Sequence, residues 1–297
     1  MAVGDATVVP TRRDRGPVAV FVLRLIRQKP LGAAAGALFV LFLLCGIFAD
    51  VLAPYGMNQI SPLNRLKPPS WQFPFGTDNL GRDMLSRCLY GAQLSVIIGF
   101  CGAALATFVS VALGIVTGYL GGKLDLVSQR FVDAWMSFPD LIILIVVVAV
   151  VGPGMPQIIV TLGLLLGIGG SRIIRSAVVS VRENMYVHAA QSIGASTARI
   201  LWRHILPNVM PPIIVLFTTR VGTVILAESG LSFLGLGVPP PAPTWGGMLS
   251  GTGRTYMFQG PWLALAPGLC LTAVVFATNV FGDALRDLLD PRMRGSR

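Results

Sequence analysis

The residues able to do chemistry are few and oddly placed. Arg220 and Glu228 lie inside one long apolar stretch, where an ionisable group marks either a fixed ion pair or a polar route. Eight residues of α-helix would separate them by about 12 Å along the axis and about 80° around it, so they do not pair with each other. Each needs a partner on another helix or a polar cavity, and the cost of an unpartnered buried charge favours the structural role. Asp78, Arg82 and Asp83 form a second charged group, following the turn Gly76-Thr77 and enclosing Gly81. Such a group can close a loop by mutual pairing or present a polar face to another protein. A third feature is the polar insertion Tyr186-Val187-His188-Ala189-Ala190-Gln191-Ser192-Ile193-Gly194. As a helix, its small residues Ala189, Ala190, Gly194 and Ala195 would give a flat stripe suited to docking in a cleft.

What is missing is as informative. Both histidines, His188 and His204, fall in or just after this insertion, and no nucleophile with a base or pair of catalytic carboxylates can be assembled around them. This argues against a rhomboid-like or metal-dependent membrane hydrolase. Cys45, Cys101 and Cys270 sit in apolar runs, Cys88 stands alone, and no C-x-x-C occurs, so neither a metal site nor a disulfide framework is indicated. No G-x-x-x-x-G-K-[ST] loop is present, so any ATP must be hydrolysed by another chain.

The elements that would position these groups are membrane spans. Of 297 residues, 54% are hydrophobic and 12% charged, a balance that excludes an ordinary soluble domain. The net charge of +10 does not indicate nucleic-acid binding, because Arg12, Arg13, Arg15, Arg24, Arg27 and Lys29 precede the first apolar run rather than lining an aromatic-interleaved face. That run, 31–52, is too long for a signal h-region and has no A-x-A site after it, which predicts an uncleaved anchor. Further spans are predicted over about 91–118, 130–151, 156–176, 205–230 and 261–282. The third and fourth are separated by Gly152-Pro153-Gly154-Met155-Pro156, a helix-breaking run. Pro207, Pro211 and Pro212 are placed near the start of the fifth, where missing amides cost least. Gly114-x-x-x-Gly118 suits close helix packing.

Six spans define the remaining parts. Segments 1–30, 119–130, 172–204 and 283–297 carry seventeen Lys or Arg, and the opposite side carries five, which puts both termini in the cytoplasm. The insertion, in a loop of about 184–204, is then cytoplasmic, and 53–90 is an external loop. Gly235, Gly237 and Pro239-Pro240-Pro241 make a stiff turn where the chain leaves lipid. Phe281, Leu285, Leu288 and Leu289 share one face of an amphipathic segment at 283–297.

The insertion resembles the coupling loop of ABC importer permeases, whose pattern is acid-Ala-Ala, three residues, Gly, nine residues, then an aliphatic residue two before Leu-Pro. Ala189, Ala190, Gly194, Leu206 and Pro207 match in register, while His188 replaces the acid and His204 the aliphatic residue. Three further stretches resemble the C-type permease subunit of dipeptide and oligopeptide importers. These are Phe75-Gly76-Thr77-Asp78-Asn79-Leu80-Gly81-Arg82-Asp83, Glu228 followed by Leu231-Ser232-Phe233-Leu234-Gly235-Leu236-Gly237, and Gly282-Asp283-Ala284-Leu285-Arg286-Asp287-Leu288-Leu289-Asp290-Pro291-Arg292.

That resemblance implies an all-α integral membrane protein with the six transmembrane helices of the type I ABC importer permease fold. It further implies coupling to an ATPase through His188, Ala189, Ala190, Gly194, Ala195, Leu206 and Pro207, and a binding-protein contact at Gly76, Thr77, Asp78, Gly81, Arg82 and Asp83. The implied partners are a B-type permease, two cytoplasmic ATPases or a fused one holding ATP and magnesium, an extracytoplasmic substrate-binding protein, a peptide and the lipid of a prokaryotic inner membrane. No cofactor, metal or nucleic acid is expected on this chain. Nickel chelates, glutathione and haem are alternative cargoes within the family, and a non-transporting receptor or assembly subunit is the reading outside it.

Overall fold

The computed structural model describes residues 17–289. Helix α1 (Pro17–Gln28) leads into α2 (Pro30–Ile47), which opens on a proline whose missing amide has no partner in a first turn anyway, and then into a short α3 (Ala49–Leu52). A loop over 53–83 contains one 3-10 turn, Pro62–Asn64. The bundle follows: α4 (Met84–Leu120), α5 (Gly122–Met136), α6 (Asp140–Val151), α7 (Met155–Arg182), α8 (Met185–Ser192), α9 (Thr197–Ile200), α10 (Leu206–Phe233), α11 (Trp245–Leu249), α12 (Gly251–Tyr256) and α13 (Trp262–Leu289). Among the described residues the only strand-like pairing is an isolated bridge between Thr77 and Asp83. Five helical runs are long and apolar enough to cross a membrane, and there are six if α5 and α6 count as one bent span.

The first span, expected over 31–52, ends at Ile47 before the short α3, the fourth, expected over about 156–176, runs on to Arg182, and four further departures have local reasons. Asp83 caps α4, accepting from the Ser86 amide at 2.8 Å and its hydroxyl at 2.6 Å, so that helix begins at Met84 rather than near 91 and the loop ends at 83 rather than 90. The expected third span over 130–151 is broken. Pro139 disfavours helical backbone at the residue before it, and α5 and α6 meet there at 85°. The helix holding the fifth span runs from Thr197 to Phe233 rather than from about 205 to 230. Between α9 and α10, Leu201–Ile205 widens to a π turn, which makes room for the Pro207 ring against the preceding turn. Pro211 and Pro212 therefore lie inside a continuous helix and not in its first turn. Finally, α13 runs on to Leu289, so 283–289 is the end of the last long helix rather than a separate segment. Asp290, Pro291 and Arg292, like Arg12, Arg13 and Arg15, lie outside the described residues.

Small residues set the central packing. A Cβ on Gly114 would sit 2.7 Å from the Ser171 carbonyl oxygen, and one on Gly118 3.0 Å from that of Arg175, so α4 and α7 are in backbone contact along this face. The Ser110 hydroxyl of α4 donates to the Gly167 carbonyl of α7 at 2.8 Å, closing the same seam. At about 1.5 Å per residue α4 is roughly 55 Å long. That exceeds the ~30 Å hydrocarbon core of a bilayer, so α4 projects beyond it. The loop over 53–83 is fastened to its start, and α8 lies by its end.

Candidate functional site

At the far end of α4, the chain between α7 and α10 folds onto the bundle through a small apolar cluster. Val187 and Ala190 of α8 pack with Ile174 and Val178 of α7 and with Ile200, Ile205 and Val209 of the following helix. The Gln191 amide reaches the Tyr119 hydroxyl at 3.2 Å, and the Arg182 guanidinium reaches the carbonyls of Gly118 and Tyr119 at 3.4 and 3.2 Å. Those carbonyls end α4 and lack partners within it, so Arg182 closes that end. Next to it, Arg175 grips Asp125 of α5 through two bonds, each 2.5 Å. The rings of Tyr186 and His204 approach to 6.3 Å between centroids, tying α8 to the π turn.

The end of α8 is specified by one residue. Gly194 has φ +77°, its amide bonds to the Gln191 carbonyl at 2.9 Å, and the Ala195 amide bonds to that of Ala190 at 3.0 Å. Together these form a glycine-terminated helix cap, and a left-handed φ is cheap for glycine. Among the described residues nothing lies within 4 Å of where a Gly194 side chain would start, so its requirement there is conformational.

The stripe of small residues read from sequence is split by the fold. Ala190 faces inward and Ala195 packs beside it, while His188, Ala189 and Gly194 face out. Leu206 is half-buried in the same cluster and Pro207 is exposed. The sequence reading passed over Met185 and Ile193, each 85% exposed, and the neighbouring Trp202 at 73%. Met185, Ala189 and Ile193 recur every four residues, a periodicity visible in the sequence that makes an exposed apolar edge on a polar loop.

Loop 53–83 is built the opposite way. The Asp78 carboxylate accepts from the amides of Leu80 and Arg82 at 2.8 and 2.9 Å and from Arg82 Nε at 2.6 Å, with Arg87 Nε at 3.9 Å. Gly76 and Gly81 hold positive φ, 71° and 73°, at the two turns. The Thr77 hydroxyl receives the Lys67 amide at 2.8 Å, and Trp262 Nε1 donates to the Thr77 carbonyl at 3.0 Å. Asp78, Thr77 and Asp83 are buried, whereas Leu63 and Trp71 stand fully out of the loop. A cleft of about 700 Å³ opens between Asp78, Arg82 and Arg87 on one side and Pro239, Pro240 and Pro241 on the other.

Arg220 and Glu228 are not brought together. Glu228 is 1% exposed and its Oε1 accepts from the Ser232 hydroxyl at 2.6 Å, while Oε2 has no partner among the described residues. Ser232 in turn lies 3.4 Å from the Thr244 hydroxyl, and the next residue, Trp245, is fully buried and donates its amide to the Ser95 hydroxyl at 3.3 Å. Glu228 thus sits where the segment after α10 tucks back into the bundle. Arg220 is half-buried beside Gly170 of α7, with Asp140 at the start of α6 as its charged neighbour.

This geometry, a helical bundle with a short exposed helix at one end and a tightly closed loop at the other, is that of a multi-span membrane protein. Residues 110–295 match the family described as binding-protein-dependent transport system inner membrane component, and residues 21–69 match the N-terminal TM domain of oligopeptide transport permease C. The dipeptide transport system permease protein DppC of Alkalihalophilus pseudofirmus is 38% identical over 91% of this chain and 88% of its own length. The oligopeptide transport system permease protein OppC of Bacillus subtilis is 38% identical over 90% and 88%, and the glutathione transport system permease protein GsiD of Escherichia coli O1:K1 / APEC over 92% and 90%. An inward-facing structure of the MetNI methionine ABC transporter shares the fold, with a TM-score of 0.58 at 17% identity over 70% of this chain and 98% of that one. The chain belongs to the binding-protein-dependent transport system inner membrane component family, as a multi-pass inner-membrane permease of the ABC importer type.

Proposed function

We propose that this chain forms half of the path by which an ATP-driven importer moves di- and oligopeptides across the inner membrane. The observation that carries the coupling part of this reading is the exposed edge of α8, Met185, Ala189 and Ile193, ended by the Gly194 cap. It is a rigid, small-surfaced knob of the kind a cleft in an ATPase can hold. Two ATPase subunits, or a fused one, bind and hydrolyse ATP with magnesium, and this chain carries no catalytic residue itself. A B-type permease completes the path. An extracytoplasmic binding protein delivers cargo to the end bearing loop 53–83, with Leu63 and Trp71 as the available surface and the buried Asp78 and Asp83 as its supports.

The peptide assignment follows the relatives named for dipeptide and oligopeptide transport, and the relative named for glutathione transport supports a second reading, since glutathione is itself a modified tripeptide. Uptake of labelled di- and tripeptides by vesicles holding the purified complex tests the choice, with glutathione, nickel chelates and haem as competitors. Dominant uptake of a competitor would reassign the cargo. Orientation has its own test. In a cysteine-free background, cysteines at positions 6 and 296 should react with an impermeant maleimide only from the cytoplasmic side, and one at 250 only from outside.

A further inference from the structure

In the sequence Cys88 has no partner, but the fold supplies one. Cys88 lies just past the first turn of α4 in a cluster with Met84, Met248 and Leu263, and Cys270 of α13 packs against that same cluster. Both are free thiols, Cys88 buried and Cys270 partly exposed. The backbone at Cys88 is pinned, because its carbonyl accepts from Nε1 of the fully buried Trp245 at 3.0 Å. The remaining cysteines, Cys45 on α2 and Cys101 more than three turns further along α4, take no part in this cluster. The 700 Å³ cleft is lined by Met84, Met248 and Leu263, so a small solute reaches the edge of the cluster from that side.

We propose that Cys88 and Cys270 form a reversible dithiol–disulfide pair that, when oxidised, ties α4 to α13 at the end of the bundle bearing loop 53–83. The oxidant is a disulfide, by thiol–disulfide exchange. One cysteine thiolate attacks a sulfur of that disulfide and expels the other as a thiolate. The second cysteine then attacks the mixed disulfide and expels the remaining sulfur. The Cys88 and Cys270 thiols lose two protons and two electrons, the new S–S bond forms, and the oxidant leaves as two thiols. The pairing needs approach of two groups that already pack in one cluster, and it joins helices whose starts lie at the closed loop, where Asp83 caps α4 and Trp262 of α13 donates to the Thr77 carbonyl.

The test uses the full complex with Cys45 and Cys101 replaced by serine, leaving only this pair in the chain. Oxidised glutathione is added, then the protein is denatured, alkylated with N-ethylmaleimide and digested for mass spectrometry. The expected result is loss of both alkylatable thiols in this chain, a peptide cross-linked between Cys88 and Cys270, and recovery of both thiols with dithiothreitol. With Cys270→Ser the cross-link must vanish and Cys88 must appear either alkylated or as a glutathione adduct. Because alkylation follows denaturation, burial cannot mimic protection. Two thiols still alkylated after oxidation, or two glutathione adducts with no internal cross-link, would overturn the proposal. A cytoplasmic location for this end would void the orientation given above without changing this in vitro result.

Discussion

The two ends of α4 solve opposite problems with similar amounts of chain. At its start, loop 53–83 turns its charges inward: Asp78 takes three hydrogen bonds, Asp83 caps the helix, and Arg82 spends its guanidinium on Asp78. At its other end, α8 turns Val187 and Ala190 inward and leaves Met185, His188, Ala189 and Ile193 facing out. A motif dense in charge is therefore a self-contained cap, and a motif of small and apolar residues is an unfilled surface. Charge density in a loop signals internal bonding as readily as it signals a partner, and what separates the two is whether the polar atoms are already used.

The sharpest way to break this comparison is at Asp78. Asp78→Ala leaves Arg82 and the buried Arg87 without their carboxylate and removes the acceptor for two loop amides. Breaking a buried pair in this way costs about 3–5 kcal/mol. Thermal unfolding of the detergent-solubilised complex should drop clearly, and limited proteolysis should open 53–83 first. A variant as stable as the parent would mean that the loop is not held by its charges.

Gly194 probes the other end with a smaller effect. Any side chain there meets a left-handed backbone, at about 1–2 kcal/mol. Gly194→Leu should keep the long helices, by circular dichroism, yet lose peptide uptake by an order of magnitude or more while ATP hydrolysis persists. Gly194→Asn, which tolerates positive φ better, should retain more uptake than leucine. Equal losses for the two would assign the effect to bulk at the interface rather than to the helix end.

Much of this arrangement could be read from sequence, and the failures have identifiable causes. Uncharged runs of some twenty residues gave the long helices because each must bury its backbone bonds internally in lipid. The break at 137–139 is hard to read because it carries a single proline, with the aromatics Phe131, Trp135 and Phe138 running up to the apolar stretch 141–151, whereas Gly152-Pro153-Gly154 carries several breakers at once. The helix through Pro207, Pro211 and Pro212 was shortened because proline counts as a stop, and the π turn that absorbs the first of them leaves no mark in the sequence. Which face of α8 points inward depends on how Ile174 of α7 and Ile205 of the π turn, on separate helical elements, come to pack against it. The approach of Cys88 to Cys270 is likewise tertiary, and no spacing rule could have supplied it.

A third perturbation separates surface from stability. Ile193→Lys places a charge on a side chain that is 85% exposed, so stability should change by less than about 0.5 kcal/mol. Pull-down of the ATPase by the permease pair should weaken, and uptake should fall several-fold. Met185→Lys should behave alike, and Leu63→Lys, equally exposed but on the other loop, should leave ATPase association untouched. Matching losses from Ile193→Lys and Leu63→Lys would erase the distinction between the two ends.

The smallest expected effect is at His188, which stands where the coupling-loop pattern that this insertion resembles has an acid. His188 is exposed near the start of α8, its amide bonding the Asn184 carbonyl at 3.3 Å, and the side chain of Asn184 is not used to cap the helix. Several amides at this helix start therefore lack a side-chain acceptor, and a carboxylate on the first turn should favour the helix by about 0.3–1 kcal/mol at an exposed site. No internal hydrogen bond of the His188 ring would be lost among the described residues, since Ser192 bonds the backbone carbonyl and not the imidazole. His188→Glu should accordingly be tolerated or mildly stabilising, with peptide uptake changed by no more than about twofold, the equivalent of a few tenths of a kcal/mol. His188→Ala should fall close to the parent as well, because Met185, Ala189 and Ile193 supply the fit and the histidine supplies only a polar edge. Peptide uptake lowered tenfold by His188→Glu, with intact assembly and unchanged melting, would instead make the histidine a specific contact matched to an acidic group on its own ATPase, and α8 would be a surface tuned by charge after all.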